Sequence, residues 1–217
     1  MQIRKCAEAD IASTGAFYDR VVLWLDGHVN YPKWIYGVYP SMETVEASAK
    51  AGTQFICLDD NGIIGAFILN DDPDGNYQKG SWQQALPDGE YMVLHTLAID
   101  PEYHRQGIGS EIIRFCVDRT RSNGYKALRV DIVPDNLPSR KLYEKNGFTY
   151  AGDVDLERGI EGIPVFSLFE LNLCGKAGHL SGGLPEDGRG RARVLPLCEP
   201  RVTDEAGSGA VSKRNGK

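Results

Sequence analysis

No run of eighteen apolar residues occurs in the 217-residue chain, so no segment is expected to cross a membrane as a helix. The opening MQIRKCAEAD has no apolar core of leader-peptide length, and a cytoplasmic location is the expectation. Positive charge is also scarce. Against 30 Asp and Glu stand 24 Lys and Arg, a net of −6, which is the wrong sign for neutralising a phosphate backbone. Neither nucleic acid nor membrane is an expected partner. Cysteine is limited to Cys6, Cys57, Cys116, Cys174 and Cys198, with no C-x-x-C pair. That odd, scattered set excludes a disulfide framework and a zinc site, and no metal is expected. The first three cysteines read as small buried hydrophobes. No internal repeat is present.

Aromatic residues are missing from 174–217, which hold nine Gly, three Pro and a net charge of +3. Such a segment cannot offset its own ordering entropy and reads as a disordered tail. Arg189, Arg191 and Arg193 are too few and too mixed with acids to make it a nucleic-acid arm. Residues 1–173 carry the remaining net of −9 and form one domain of ordinary size.

That domain begins with a strand at Gln2–Lys5, a helix from about Asp10 to Leu25 with Asp10 as its cap, and an aromatic, proline-punctuated loop at 28–41. Ser41 can cap a helix over Met42–Ala51. Two β-branched runs, 53–58 and 63–69, flank Asn61-Gly62 and predict a hairpin. Residues 70–89 form a long polar insert, of the kind that is usually functional or mobile. Beyond it come a strand at Tyr91–Asp100, an amphipathic helix at Gly107–Asn123 and a strand at Ala127–Val133. A short helix at Pro138–Asn146 is stopped by Gly147. A closing hairpin, Phe148–Val154 with Pro164–Asn172, is linked through Arg158–Gly162. The strand–helix–strand unit should be a right-handed parallel crossover. The class is α+β, a mixed sheet flanked by helices.

Chemistry concentrates in His104-Arg105-Gln106-Gly107-Ile108-Gly109-Ser110, between a strand and a helix. A glycine turn into a helix lets backbone N–H groups converge on an anion, so a phosphate or pyrophosphate is the expected guest. A tight turn with glycines needed only for packing is the competing reading. No G-K-[ST] follows, which excludes a P-loop, and Ile112 stands where a dinucleotide fold has its third glycine.

The stretch LHTLAIDPEYHRQGIGSEII, followed by DNLPSRKLYEKNGF at 135–148, resembles two successive motifs of the GCN5-related N-acetyltransferase (GNAT) superfamily. The resemblance is motif-grade over about 91–150 and covers 1–173 in layout. It departs at His104, where members usually carry Gln or Arg. It implies a mostly antiparallel mixed sheet whose central parallel strand pair splays at an acetyl-CoA site. The cosubstrate would lie along Leu97, Ala98 and Ile99 by strand-edge hydrogen bonds. Its pyrophosphate would sit on Arg105, Gln106, Gly107, Ile108, Gly109 and Ser110, with Asn136 near the pantetheine. Asn136 can equally cap the helix after it.

The same resemblance makes Tyr143 the general acid for the leaving thiolate. A base is also needed, because deprotonating a lysine-like amine at pH 7 costs roughly 4–5 kcal/mol. His95 and Asp131 are level candidates, Glu90 is a third and a water chain a fourth. Trp34, Tyr36, Tyr39, Tyr77 and Trp82 frame an expected acceptor pocket, and the acidic body would attract a cationic amine. The expected reaction is acetyl transfer to a primary amine, small-molecule or peptide, in a ternary complex. A longer acyl group, a CoA-binding sensor without turnover, and a nucleotide-binding regulator are the alternatives. A homodimer is the expectation that the resemblance supports.

Overall fold

The computed structural model describes residues 1–173. The expected tail at 174–217, with Cys174, Cys198 and its three arginines, lies outside the described residues. In chain order the elements are β1 (Gln2–Lys5), α1 (Ile11–Asp26), α2 (Met42–Lys50), β2 (Gln54–Asp59), β3 (Gly62–Asn70) and β4 (Tyr91–Ile99). Then follow α3 (Ile108–Ser122), β5 (Ala127–Ile132), α4 (Leu137–Lys145), β6 (Thr149–Val154) and β7 (Phe166–Asn172). The seven strands form one sheet in the order β1-β2-β3-β4-β5-β7-β6. Every neighbouring pair is antiparallel except β4–β5. No helix among the described residues is long and apolar enough to cross a membrane.

Alternation along the strands sorts side chains to two faces. On one face Met92, Leu94, Leu128, Val130 and Ile132 pack with Ile112, Ile113, Cys116 and Val117 of α3 and with Tyr143 of α4. On the other, Tyr91, Val93 and Ala127 pack with Tyr77 and Leu86, while Ile56, Ala66 and Ala98 meet Phe17, Tyr18 and Val21 of α1.

Ser41 caps α2 through the Thr44 N–H at 3.2 Å, and Gly147 ends α4 with φ +87°. Three local expectations need correction. The Asp10 carboxylate does not cap α1: it turns back to the Ala7 N–H and the Arg4 guanidinium. The β2–β3 turn sits on Asp60-Asn61, and Gly62 already opens β3 opposite Asp59. The insert at 70–89, expected to be functional or mobile, is anchored to the sheet at three residues. Tyr77 and Leu86 are buried, and Trp82 stacks over the Arg129 guanidinium at 3.9 Å. Arg129 also stacks on Tyr91 at 3.9 Å and pairs with Glu170 across the β5–β7 ladder, so this fully buried cation anchors the insert.

Candidate active site

The parallel pairing of β4 with β5 lasts three registers, from Tyr91↔Ala127 to Val93↔Arg129. Past Val93 the strands part, because β5 stays bonded to β7 as far as Ile132 while β4 follows β3. The β3–β4 register shifts between Ala66↔Ala98 and Ile68↔His95, so β4 holds one extra residue there. Thr96 absorbs it with φ +48°, a left-handed conformation that costs a β-branched residue about 1–3 kcal/mol. The Tyr18 hydroxyl steadies the bulge by donating to the Thr96 carbonyl at 3.1 Å. Burial pushes that phenol up to about 12, so it remains a donor. The bulge also resets the alternation: Leu94 and Leu97 share the α3 face although they are three residues apart.

A cavity of about 820 Å³ runs through this opening. His95 to Ile99 of β4, Asp131 and Ile132 of β5, and Asn136 and Tyr143 of α4 all line it. Leu97, Ala98 and Ile99 are among these lining residues, and the Ile99 carbonyl already accepts from His104 Nε2 at 3.2 Å. The unusual residue of the glycine motif has bent back to the strand edge and stands edge-on to Trp24.

Within the turn, Arg105 and Gly107 have φ +62° and +87°. Ser110 and Glu111 donate to the Gly107 carbonyl, while among the described residues no backbone carbonyl accepts from the N–H groups of Arg105 to Gly109. A Cβ at Gly107 would meet nothing within 4 Å, whereas one at Gly109 would meet Leu142 at 3.0 Å and Ile99 at 3.2 Å. A side chain at Gly109 would thus crowd the packing of α3 on α4 and β4. The Gln106 side chain donates to the Glu102 carbonyl, and the Ser110 hydroxyl accepts from Asn146. Asn136 caps α4 by accepting from the Ser139 N–H at 3.2 Å, which leaves its amide nitrogen for a guest in the cavity.

The proton-transfer candidates separate clearly. Asp131 is spoken for: Arg158 approaches it at 2.9 and 2.7 Å and the Tyr77 hydroxyl donates at 2.6 Å. Although burial opposes it, the Arg158 guanidinium holds this carboxyl below the usual carboxylate range. Glu90 pairs with Lys126 at 2.7 Å and does not line the cavity. His95 Nε2 lies 2.9 Å from the Asp72 carbonyl and 3.1 Å from Asn70 Oδ1. A carbonyl can only accept, so Nε2 carries the proton and Nδ1 is the basic nitrogen. Burial lowers the pKa of this ring, keeping it neutral near pH 7. Tyr143 packs against Phe148 and Phe169, its hydroxyl makes no hydrogen bond among the described residues, and burial pushes its phenol up.

Of the expected acceptor aromatics, Trp34 and Tyr39 line the cavity and Tyr36, Tyr77 and Trp82 do not. Tyr36 is exposed, and the insert aromatics are turned toward Asp131 and Arg129. Arg158 went unnoticed in the sequence because no periodic element carries it, yet it ties β5 to the Pro73 and Asp74 carbonyls. Cys6, Cys57 and Cys116 are buried, and none lines the cavity.

The profile of the Acetyltransferase (GNAT) family matches residues 22–148. The ribosomal protein bS18-alanine N-acetyltransferase of Escherichia coli (strain K12) is 33% identical over 59 residues, which is 27% of this chain and 40% of that protein. The chain thus spans well under half the length of that relative. The L-methionine sulfoximine/L-methionine sulfone acetyltransferase of Salmonella typhimurium is 24% identical over 155 residues, 69% of this chain and 80% of that protein. A solved Salmonella typhimurium acetyltransferase, described with its cofactor acetyl-CoA, matches with a TM-score of 0.59 at 17% identity, over 82% of this chain and 96% of that one. At that identity the likeness shows the fold alone.

Proposed function

The chain belongs to the GNAT family of acetyltransferases, and from that premise we propose that it transfers acetyl from acetyl-CoA to a primary amine by direct attack. The observation that carries this reading is the cavity through the β4–β5 opening, lined by His95 and Tyr143. Tyr143 belongs to the α3–α4 side of the sheet, whereas His95 bonds to the Asn70–Asp72 segment on the other side. A thioester entering from one side and an amine from the other would meet between a base and an acid.

His95 Nδ1 takes a proton from the amine, and the amine nitrogen forms its bond to the thioester carbonyl carbon. Backbone N–H groups of β4 near the bulge stabilise the oxyanion. The C–S bond breaks as the sulfur receives the Tyr143 proton, the phenolate then takes the second proton from the nitrogen, and His95 returns its proton to solvent, giving free thiol and amide. Asp131 acts as a positioning residue through Arg158. The buried cysteines support transfer without an acyl-enzyme, since burial pushes the Cys57 thiol up to about 11. Release of CoA thiol on adding amine to the full-length protein and acetyl-CoA tests the reading. Binding of acetyl-CoA without amine-dependent thiol would replace it with a non-catalytic CoA-binding role.

A further inference from the structure

Two separate loops converge on the His95 side of the cavity, and both bring apolar groups. Trp34, Ile35, Val38 and Tyr39 come from the segment between α1 and α2, and Ile160 and Ile163 from the segment between β6 and β7. Ile35, Val38 and Ile160 are 60%, 63% and 45% exposed. They line the cavity and still face solvent, as expected of a wall that a ligand completes.

The charges on the lining cancel. Its Lys, Arg, Asp and Glu members are Lys33, Asp74, Asp131 and Arg158, two of each sign. Asp131 is matched by the Arg158 ion pair, and Asp74 lies 3.6 Å from the same guanidinium. The acidic surplus of the body is therefore not focused on the site. A polyamine or aminoglycoside would bring several cations to a wall with no carboxylate surplus to receive them. An amino acid would need a cation for its carboxylate: Arg158 is already committed to Asp131, which leaves the solvent-exposed Lys33 and no cation beside His95 among the lining residues.

We propose that the acceptor is a monoamine on an apolar alkyl or arylalkyl body, which lies against the Trp34–Tyr39 and Ile160–Ile163 walls and presents its nitrogen to His95. This rests on the transferase reading above and names its substrate class. It also suits the chemistry, because an apolar surround favours the neutral, nucleophilic amine.

The test follows thiol release by the full-length chain and acetyl-CoA with n-alkylamines from propyl to octyl and with 2-phenylethylamine. Spermidine, an aminoglycoside, methionine sulfone and a peptide with N-terminal alanine complete the panel. The expected kcat/KM climbs about fourfold per added methylene until the wall is filled. 2-Phenylethylamine should exceed spermidine and the aminoglycoside at least tenfold. Ile35→Glu and Val38→Glu, both at exposed positions that the fold tolerates, should flatten the climb and narrow that ratio. A flat alkyl series, or a best rate with any of the other four acceptors, overturns the apolar class while the transferase reading stands. No thiol with any amine, in a protein that binds acetyl-CoA by calorimetry, overturns the transferase reading and the acceptor class with it.

Discussion

Asp131 gives its two carboxylate oxygens to two nitrogens of Arg158, Nη1 at 2.9 Å and Nη2 at 2.7 Å. The remaining Arg158 donors hold the Pro73 and Asp74 carbonyls. One ion pair thereby fastens β5, the β6–β7 connection and the start of the insert beside His95. A carboxylate so engaged is a fixture of the site, and that assigns it a consequence different from a base.

Asp131→Asn should lower folding stability by roughly 2–3 kcal/mol. That is below the ~3–5 expected for a sealed pair, since each side chain keeps about a tenth of its exposure. Denaturant unfolding measures it. The acid limb of kcat/KM against pH should persist in this variant. Its disappearance would return the base assignment to Asp131.

Tyr143→Phe separates chemistry from packing. The ring keeps its contacts with Phe148 and Phe169, and the hydroxyl it loses has no hydrogen-bond partner among the described residues. Stability should stay within about 0.5 kcal/mol, as for a substitution that breaks no contact. Loss of a general acid should lower kcat by roughly 10²–10⁴. Acetyl-CoA affinity by calorimetry should change little. An unchanged kcat would remove Tyr143 from proton transfer.

Gly107 and Gly109 should fail for different reasons. Gly107→Ala adds a Cβ in open space to a backbone at φ +87°, so the cost is conformational, about 1–2 kcal/mol. Gly109→Ala brings a Cβ to 3.0 Å from Leu142 and 3.2 Å from Ile99, whose side-chain ends must yield by a few tenths of an ångström, an overpacking cost of about 1 kcal/mol. Because α4 carries Asn136 and Tyr143 to the cavity, Gly109→Ala should weaken acetyl-CoA binding and lower kcat together. Gly107→Ala should act on binding alone. Paired calorimetry and rate measurements on both variants decide the point, and equal kcat losses would show that the turn acts as one unit.

The sheet, its helices and the glycine turn before α3 were legible because each rests on local pattern: alternation, capping residues at Ser41 and Asn136, and a glycine that stops α4 at Gly147. The acceptor side was not, because it depends on pairs distant in sequence. Nothing near Asp131 announces Arg158, and nothing near Arg129 announces that Trp82 and Tyr91 will sandwich it. His95 and Asp131 looked equivalent because strand position fixes which face a side chain takes but not who meets it there. For the same reason Tyr77 and Trp82, grouped with Trp34 by composition, went into the core instead.

His95 ties the mechanism to pH in two measurable ways. Burial lowers its folded pKa, an effect that the nearby Asp131 charge opposes and that of Arg158 assists. The unfolded ring titrates near ~6.5, so above that pH both states are neutral and the stability contribution is complete. As pH falls below about 6.5 the unfolded chain takes up a proton that the folded ring still refuses, and stability declines until the lower folded pKa is reached. Wild-type melting temperature should therefore drop over that window. His95→Gln, whose amide can still donate to the Asp72 carbonyl, should drop less. In the same variant the acid limb of kcat/KM should vanish, and activity should recover toward pH 10, where the amine with a pKa of about 10.4 becomes neutral without help. A His95→Gln enzyme that keeps the wild-type limb would move deprotonation to a water chain or to solvent before binding.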